Sequence, residues 1–241
     1  MRVLVTGSAD GLGNAAADAL LTAGHEVVLH LRSRSRLGAV RELMDRGAEV
    51  VVGDLADRDE VRDMAVQVAQ LEPIAAVIHN AGVGQGSASV VAVNVVAPYL
   101  LTALLPRPDR LVYLSSGMHR GGRPDVSRLE GGSYSDSKLF VSTLAAAVAR
   151  RWPDVASSSV DPGWVPTRMG GPSAPDDLRL GHVTQVWLAT SDDPAALSGG
   201  YWRHQAREAP HRSVDDVQFQ DQLLDALAEM TGVELAGPGL A

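Results

Sequence analysis

The sequence predicts an α/β fold, a doubly wound parallel sheet of about seven strands with helices on both faces, and three observations carry that expectation. Short apolar runs alternate with helical stretches from the first residue onward. Alanine, valine and leucine dominate the apolar residues while the 241-residue chain has only two phenylalanines, which suits buried parallel strands better than an aromatic-rich β sandwich. Glycine-containing turns follow several strands, at the edge where such sheets gather ligands.

Apolar periodicity sets the elements in order. Arg2 to Thr6 reads as a strand, Leu12 to Ala23 as a helix, Glu26 to Leu31 as a strand and Arg36 to Arg46 as a helix. Glu49 to Val52 is the third strand, Arg58 to Gln70 a helix, Ala75 to His79 the fourth strand and Ala88 to Leu105 a long apolar helix. Arg110 to Leu114 is the fifth strand, Ser135 to Arg151 the next helix and Val155 to Val160 the sixth strand. Asp176 to Thr190 is helical, Gly199 to Trp202 is a short last strand, and Asp215 to Met230 is a final amphipathic helix. Each right-handed crossover lays its helix across a sheet face, so this alternation builds a parallel sheet. Residues 1–241 are expected as a single domain, with loops at Gly117 to Gly132 and Gly170 to Pro175 and a frayed tail at Ala236 to Ala241.

With no cysteine there is no disulfide framework and no thiolate metal site; no metal is expected, and a cytoplasmic location is the plain reading. The start runs directly into a strand and turn, and no apolar run reaches about 18 residues, so neither a targeting nor a membrane segment is expected. A formal charge of −8 argues against a nucleic-acid partner. One basic cluster, Arg32, Arg34 and Arg36, follows the second strand.

Thr6-Gly7-Ser8-Ala9-Asp10-Gly11-Leu12-Gly13 joins the first strand to the first helix. Gly7 permits a tight turn, Gly11 lets the backbone approach a pyrophosphate, and Gly13 lets helix and strand pack closely, while helix N–H groups face the anion. Five further motifs follow in order: Asp54-Leu55, Asn80-Ala81-Gly82, Ser115-Ser116-Gly117, Tyr134-Ser135-Asp136-Ser137-Lys138, and Asp161-Pro162-Gly163-Trp164-Val165-Pro166-Thr167. In this order and spacing they resemble the short-chain dehydrogenase/reductase family, which implies a Rossmann-type fold and a nicotinamide cofactor.

The resemblance implies that Gly7, Ser8, Asp10, Gly11, Leu12 and Gly13 cradle the cofactor, with Asp54 and Leu55 at the adenine and Asn80, Ala81 and Gly82 after the fourth strand. Leu31 stands where an NAD-selecting acid would, and Arg32 where a base would accept a 2'-phosphate, with Ser33 as a further donor; NADP(H) is the expected cofactor. Pro162, Gly163, Val165 and Thr167 match the motif that addresses the nicotinamide end. Tyr134 and Lys138, at i and i+4, share a helix face, so the ammonium is expected near the phenol, lowering its pKa from about 10. By similarity Tyr134 is the proton donor and Lys138 its support, which also holds the cofactor ribose. Ser116 bonds the substrate carbonyl, and Asn94, polar within an apolar helix, helps hold a water in a proton relay. Ser115 is expected to point to the opposite face. The Ser116-to-Tyr134 interval exceeds the commonest family spacing, as in retinol-dehydrogenase-like members.

These implications converge on an NADP(H)-dependent oxidoreductase exchanging hydride with a small-molecule carbonyl or secondary alcohol. Val83, Met118, His119, Trp164 and Met169 are candidate pocket walls, a largely apolar set that suits a hydrophobic or polyketide-like ketone. Residues 164–185 are expected to act as a lid. A cofactor-binding regulator without turnover, or a member turned to cyclisation or dehydration, stays open as an alternative. The apolar faces of Ala88 to Leu105 and Leu139 to Val148 could pair two copies across a two-fold axis.

Overall fold

The computed structural model describes residues 1–237. Its strands are β1 (Arg2–Val5), β2 (Glu26–Leu31), β3 (Glu49–Val52), β4 (Ala76–His79), β5 (Arg110–Leu114), β6 (Ala156–Asp161), β7 (Gly200–Arg203) and β8 (Ala206–Glu208). They form one sheet in the order β3-β2-β1-β4-β5-β6-β7-β8, parallel except for the β7–β8 pair. The helices are α1 (Gly11–Thr22), α2 (Arg41–Asp45), α3 (Arg58–Ala69), α4 (Ala97–Leu104), α5 (Tyr134–Arg151), α6 (Leu178–Thr190) and α7 (Val217–Thr231).

Helices on both faces explain why the strands read as continuous apolar runs. Val3 and Val5 enter the core beneath α1, α2 and α6, while Leu4 between them enters the core beneath α3, α4, α5 and α7. Strand order reverses between β1 and β4, the switch point beyond whose carboxyl strand ends such sheets gather ligands.

Three departures from the sequence reading have local causes. An eighth strand is present because the chain doubles back after β7 through His204 and Gln205, whose φ angles are +48° and +61°; neither is glycine, so the turn carries no usual signature. Residues 34–40 form a 3₁₀ segment, leaving α2 only five residues long. The long apolar helix contains a π-turn over Ala92–Val96 before α4 begins. Pro98 has no N–H to offer the Asn94 carbonyl four residues back, and the helix widens there.

Small hydroxylic residues seat α5 closely on the sheet. Ser115 Oγ lies 2.6 Å from Ser142 Oγ and donates to Lys138 O at 3.2 Å, and Ser157 Oγ donates to Ala145 O at 2.8 Å. The start of the supposed tail is also tied down: Ala236 O accepts from Trp152 Nε1 at 2.9 Å and from Arg151 Nε at 3.1 Å, and Gly237 O from Arg107. The rest of that segment, 238–241, lies outside the described residues.

Candidate active site

The loop after β1 is built for close backbone approach. A Cβ at Gly13 would stand 2.3 Å from Gly7 O and 2.4 Å from Asn80 Nδ2, so no side chain fits. Gly7 has φ +69° and abuts Ala81, and Gly11 has φ +56° and faces the Thr167 methyl. Asn80 Nδ2 donates to Thr6 O at 2.8 Å, and Ala81 N–H donates to Thr6 Oγ1 at 2.9 Å, so the Asn-Ala-Gly turn braces the glycine loop. Asp10 stands at the N-cap of α1 without capping it; its carboxylate accepts from Arg36 at 2.7 Å instead. The first N–H groups of α1 therefore have no side-chain cap, the arrangement an anion requires. Ser8 contradicts expectation: it is fully buried, its Oγ donates inward to Val5 O at 2.5 Å, and its N–H donates to His30 O, so it offers a ligand no donor.

Arg32 is exposed and makes no hydrogen bond or ion pair among the described residues, whereas Ser33 Oγ pairs with Ser35 Oγ at 2.7 Å. Asp54 Oδ1 accepts from Ala56 N–H at 2.9 Å, and Leu55 is buried in the core. A nicotinamide dinucleotide fits this edge: the first amides of α1 have no side-chain cap, three glycines clear the approach, and an exposed guanidinium stands just after β2.

Tyr134 opens α5, with the Ser116 side chain close enough to its phenol to lower its pKa. Lys138 is buried, with Nζ donating to Leu114 O at 2.7 Å and lying 5.5 Å from the Tyr134 ring centre. The ammonium thus faces the ring rather than forming a bond to the hydroxyl. Contrary to the sequence expectation, the Tyr134 pKa is raised: burial dominates, the Ser116 side chain opposes it, and the Asp161 charge adds to it. Burial pushes the Lys138 ammonium down to about 8, against the Asp161 charge. Ser115 points the other way, into the α5 interface, as strand alternation requires.

Asn94 spends its amide on the backbone of Val83, accepting from N–H at 2.9 Å and donating to O at 3.1 Å, and it also donates to Ser137 Oγ at 3.0 Å. It thereby fixes the loop that follows Gly82, where a Cβ would meet Asn94 Oδ1 at 3.3 Å and Lys138 Nζ at 3.6 Å. Met169 packs over Gly82 and Gly84. Met118, Met169 and Trp164 are 44%, 52% and 58% exposed, whereas Asn94 and Lys138 are buried. Trp164 is held by donation from its Nε1 to Gly170 O at 2.9 Å and from its N–H to Asp176 Oδ2 at 2.7 Å. Val165 is buried against Gly181, and Gly163 has φ +81°.

The "short chain dehydrogenase" family model matches residues 1–177, well over half of the sequence. An uncharacterized oxidoreductase of Emericella nidulans is 39% identical over 98% of this chain and 99% of its own. This chain belongs to the short chain dehydrogenases. A Streptomyces protein assigned by name to daunorubicin C-13 ketoreduction is 31% identical to it, covering 95% of this chain and 92% of that one. The solved structure of an uncharacterized Mycobacterium paratuberculosis protein superposes with a TM-score of 0.80 at 25% identity, over 98% of this chain and 94% of the other. A blue fluorescent protein from a metagenomic library, solved with NADPH, shares the fold at 22% identity and a TM-score of 0.68, over 85% of this chain and 96% of that one.

The interval that is long for a short chain dehydrogenase, Ser116 to Tyr134, carries the main corrections. His119 is not a pocket wall: it is fully buried, its Nδ1 donates to Ser116 O at 2.7 Å, and its Nε2 accepts from His211 N–H at 2.9 Å. Both ring nitrogens are thereby committed, and burial lowers its pKa, so it braces the Ser116 turn as a neutral imidazole. Three residues escaped the sequence reading. His30 Nδ1 accepts from Gly7 N–H at 3.0 Å and its Nε2 donates to Gly53 O at 2.8 Å, pinning the glycine loop to the end of β3. A polar residue in the apolar run of β2 was the available signal, as it was for Asn94. Asp136 anchors the inserted loop, and Asp161 ends β6 with its charge directed at Tyr134 and Lys138. Among the described residues no helix is long and apolar enough to cross a membrane.

Proposed function

We propose that this protein is an NADP(H)-dependent ketoreductase acting on a hydrophobic, ring-bearing ketone, polyketide-like in character, in the cytoplasm. The carrying observation is the junction of Ser116, Tyr134 and Lys138 at the end of β5, together with the exposed apolar side chains of Met118, Trp164 and Met169. The likeness to a protein named for daunorubicin C-13 ketoreduction supports a ketone of this kind.

Bound NADPH supplies the hydride. Gly7, Gly11, Gly13 and the α1 amides would hold its pyrophosphate, Asp54, Leu55 and Asn80 would flank its adenosine half, and Val165 and Thr167 would meet the nicotinamide end. Arg32 would take the 2'-phosphate. Ser116 orients the carbonyl oxygen, Tyr134 protonates it, and Lys138 holds the ribose and keeps positive charge behind the phenol. Asn94 acts through position: it fixes the Val83 turn beside Lys138. Residues 164–185 would close over the ketone, with Trp164 stacking on its ring.

The test follows NADPH and NADH oxidation across a panel of aryl and aliphatic ketones. Arg32→Ala should weaken NADPH by at least about tenfold, the scale of one charge-assisted phosphate contact, and leave NADH nearly unchanged. Equal losses with both cofactors would remove the NADP(H) assignment. Cofactor binding without turnover of any ketone would favour a regulator or a non-redox member.

A further inference from the structure

Arg36 belongs to the basic cluster after β2, and the roles above leave it unused. It lies in the 3₁₀ segment that Leu37 and Val40 seat against the core, and its N–H donates to Ser33 O at 3.0 Å. From there its guanidinium reaches back to the glycine loop and bonds the Asp10 carboxylate at 2.7 Å.

The backbone of Asp10 is that of an N-cap: its φ of −160° and ψ of 179° are extended, its carbonyl accepts from Asn14 N–H at 3.3 Å, and Gly11 opens α1 directly after it. Aspartate is among the strongest N-cap residues, and the helix dipole attracts a carboxylate there. Asp57, Asp177 and Asp216 behave accordingly, each accepting from amides of the helix it precedes. Of the four aspartates that stand at α-helix N-caps among the described residues, Asp10 is the one that accepts no amide and the one ion-paired to an arginine.

The two destinations of this carboxylate exclude each other. Turned onto the N–H groups of Leu12 and Gly13, it would occupy amides that a pyrophosphate needs and place negative charge where the phosphates arrive. An exposed ion pair adds little to stability by itself. Its consequence here is the direction in which Asp10 points.

Resting on the reading of this loop as a dinucleotide site, we infer that Arg36 is a positioning residue that keeps Asp10 from capping α1 and so leaves the helix amides open to the cofactor pyrophosphate. Arg32 addresses the phosphate that distinguishes NADPH, whereas Arg36 acts on the part that NADPH and NADH share.

The experiment titrates NADPH and NADH by fluorescence and melts the free protein, for the wild type, Arg36→Ala and the double variant Asp10→Ala/Arg36→Ala. Arg36→Ala releases Asp10 to cap α1, so both cofactors should bind about fivefold to tenfold more weakly, the factor that displacing one N-cap represents. The melting temperature of the free variant should hold or rise, whereas a purely structural ion pair would lower it and leave binding unchanged. Removing the competing carboxylate in the double variant should restore both affinities. Arg36→Gln, which keeps most of the side-chain length without the charge, gives the same comparison if the alanine variant does not fold. Undiminished binding in Arg36→Ala, a loss confined to NADPH, or a double variant as weak as the single one overturns the role of Arg36 while leaving the dinucleotide reading in place. Failure of the wild-type protein to bind either cofactor overturns both.

Discussion

At the scale of single residues, the proposed reduction turns on the competition acting on Tyr134. Burial raises the phenol pKa, the Ser116 side chain lowers it, and the Asp161 charge raises it again. Lys138, itself lowered to about 8 by burial, faces the ring and spends a proton on Leu114 O. The phenol therefore stays protonated through neutral pH, the form that can give a proton to a carbonyl oxygen. Reduction should accordingly hold level across neutral pH, because the acid form is present below the raised pKa, whereas alcohol oxidation, which needs phenolate, should still be climbing at alkaline pH. Tyr134→Phe should cut turnover by roughly 10² to 10⁴ while NADPH binding persists. Rates in both directions against pH, with fluorescence titration of the cofactor, check this. Undiminished turnover in the Phe variant would strip Tyr134 of its acid role.

At the scale of elements, α5 and the inserted loop are joined through Asp136, the third residue of the Tyr-Ser-Asp-Ser-Lys motif. Its carboxylate accepts from Ser133 N–H at 2.8 Å, Ser133 Oγ at 2.7 Å, Arg123 N–H at 2.8 Å and Arg128 Nε at 2.7 Å, completing a capping box. Burial would raise its pKa, but these four donors prevail and hold it at about 2. A carboxylate lowered in the folded state adds stability that is full above its unfolded value near 4 and is lost as pH falls towards about 2. Asp136→Asn should cost about 2 kcal/mol at neutral pH, since an amide oxygen cannot satisfy all four donors. Its acid unfolding should also lose slope between about pH 4 and 2. Urea titrations across that range measure both, and an unchanged profile would count against this role. The sequence announced α5 through its motif spacing, and Gly7, Gly11 and Gly13 through the turn they require, because those demands are local. It hid the partners of Asp136, the buried pose of His119 and the burial of Ser8, because each depends on groups outside its own element: the Arg123 N–H and Arg128 side chain, the His211 backbone, and the His30 backbone. His30 was detectable as a lone polar side chain in an apolar strand, but its partners Gly7 and Gly53 become neighbours only when β1, β2 and β3 pair.

At the scale of the whole molecule, the two helices that apolarity alone would offer to a second copy are already covered by the same chain. Phe219 of α7 packs on Phe140 of α5 with ring centres 6.2 Å apart, and Leu223, Leu224 and Leu227 continue the same core. Arg150 adds bonds to Gln220 and Asp221. Beyond α7 the chain crosses to α4, where Tyr99 Oη donates to Val233 O at 2.7 Å, and Leu235 is buried in the same cluster. Pairing across α4 and α5 would require this whole layer to be lifted, exposing large apolar side chains that cost about 1.5 to 3 kcal/mol each. The edge beyond β7 is blunted as well, since β8 has only three residues and two of them, Arg207 and Glu208, are charged. A formal charge of −8 adds repulsion between copies. The protein should therefore run as a monomer of 25.3 kDa by light scattering. Leu223→Asp, which breaks the contact of α7 with α5, should lower the melting temperature and produce association through the exposed helices. A dimeric wild-type mass, or a Leu223→Asp variant that stays monomeric and fully stable, would show that α7 is not the element that keeps those faces apart.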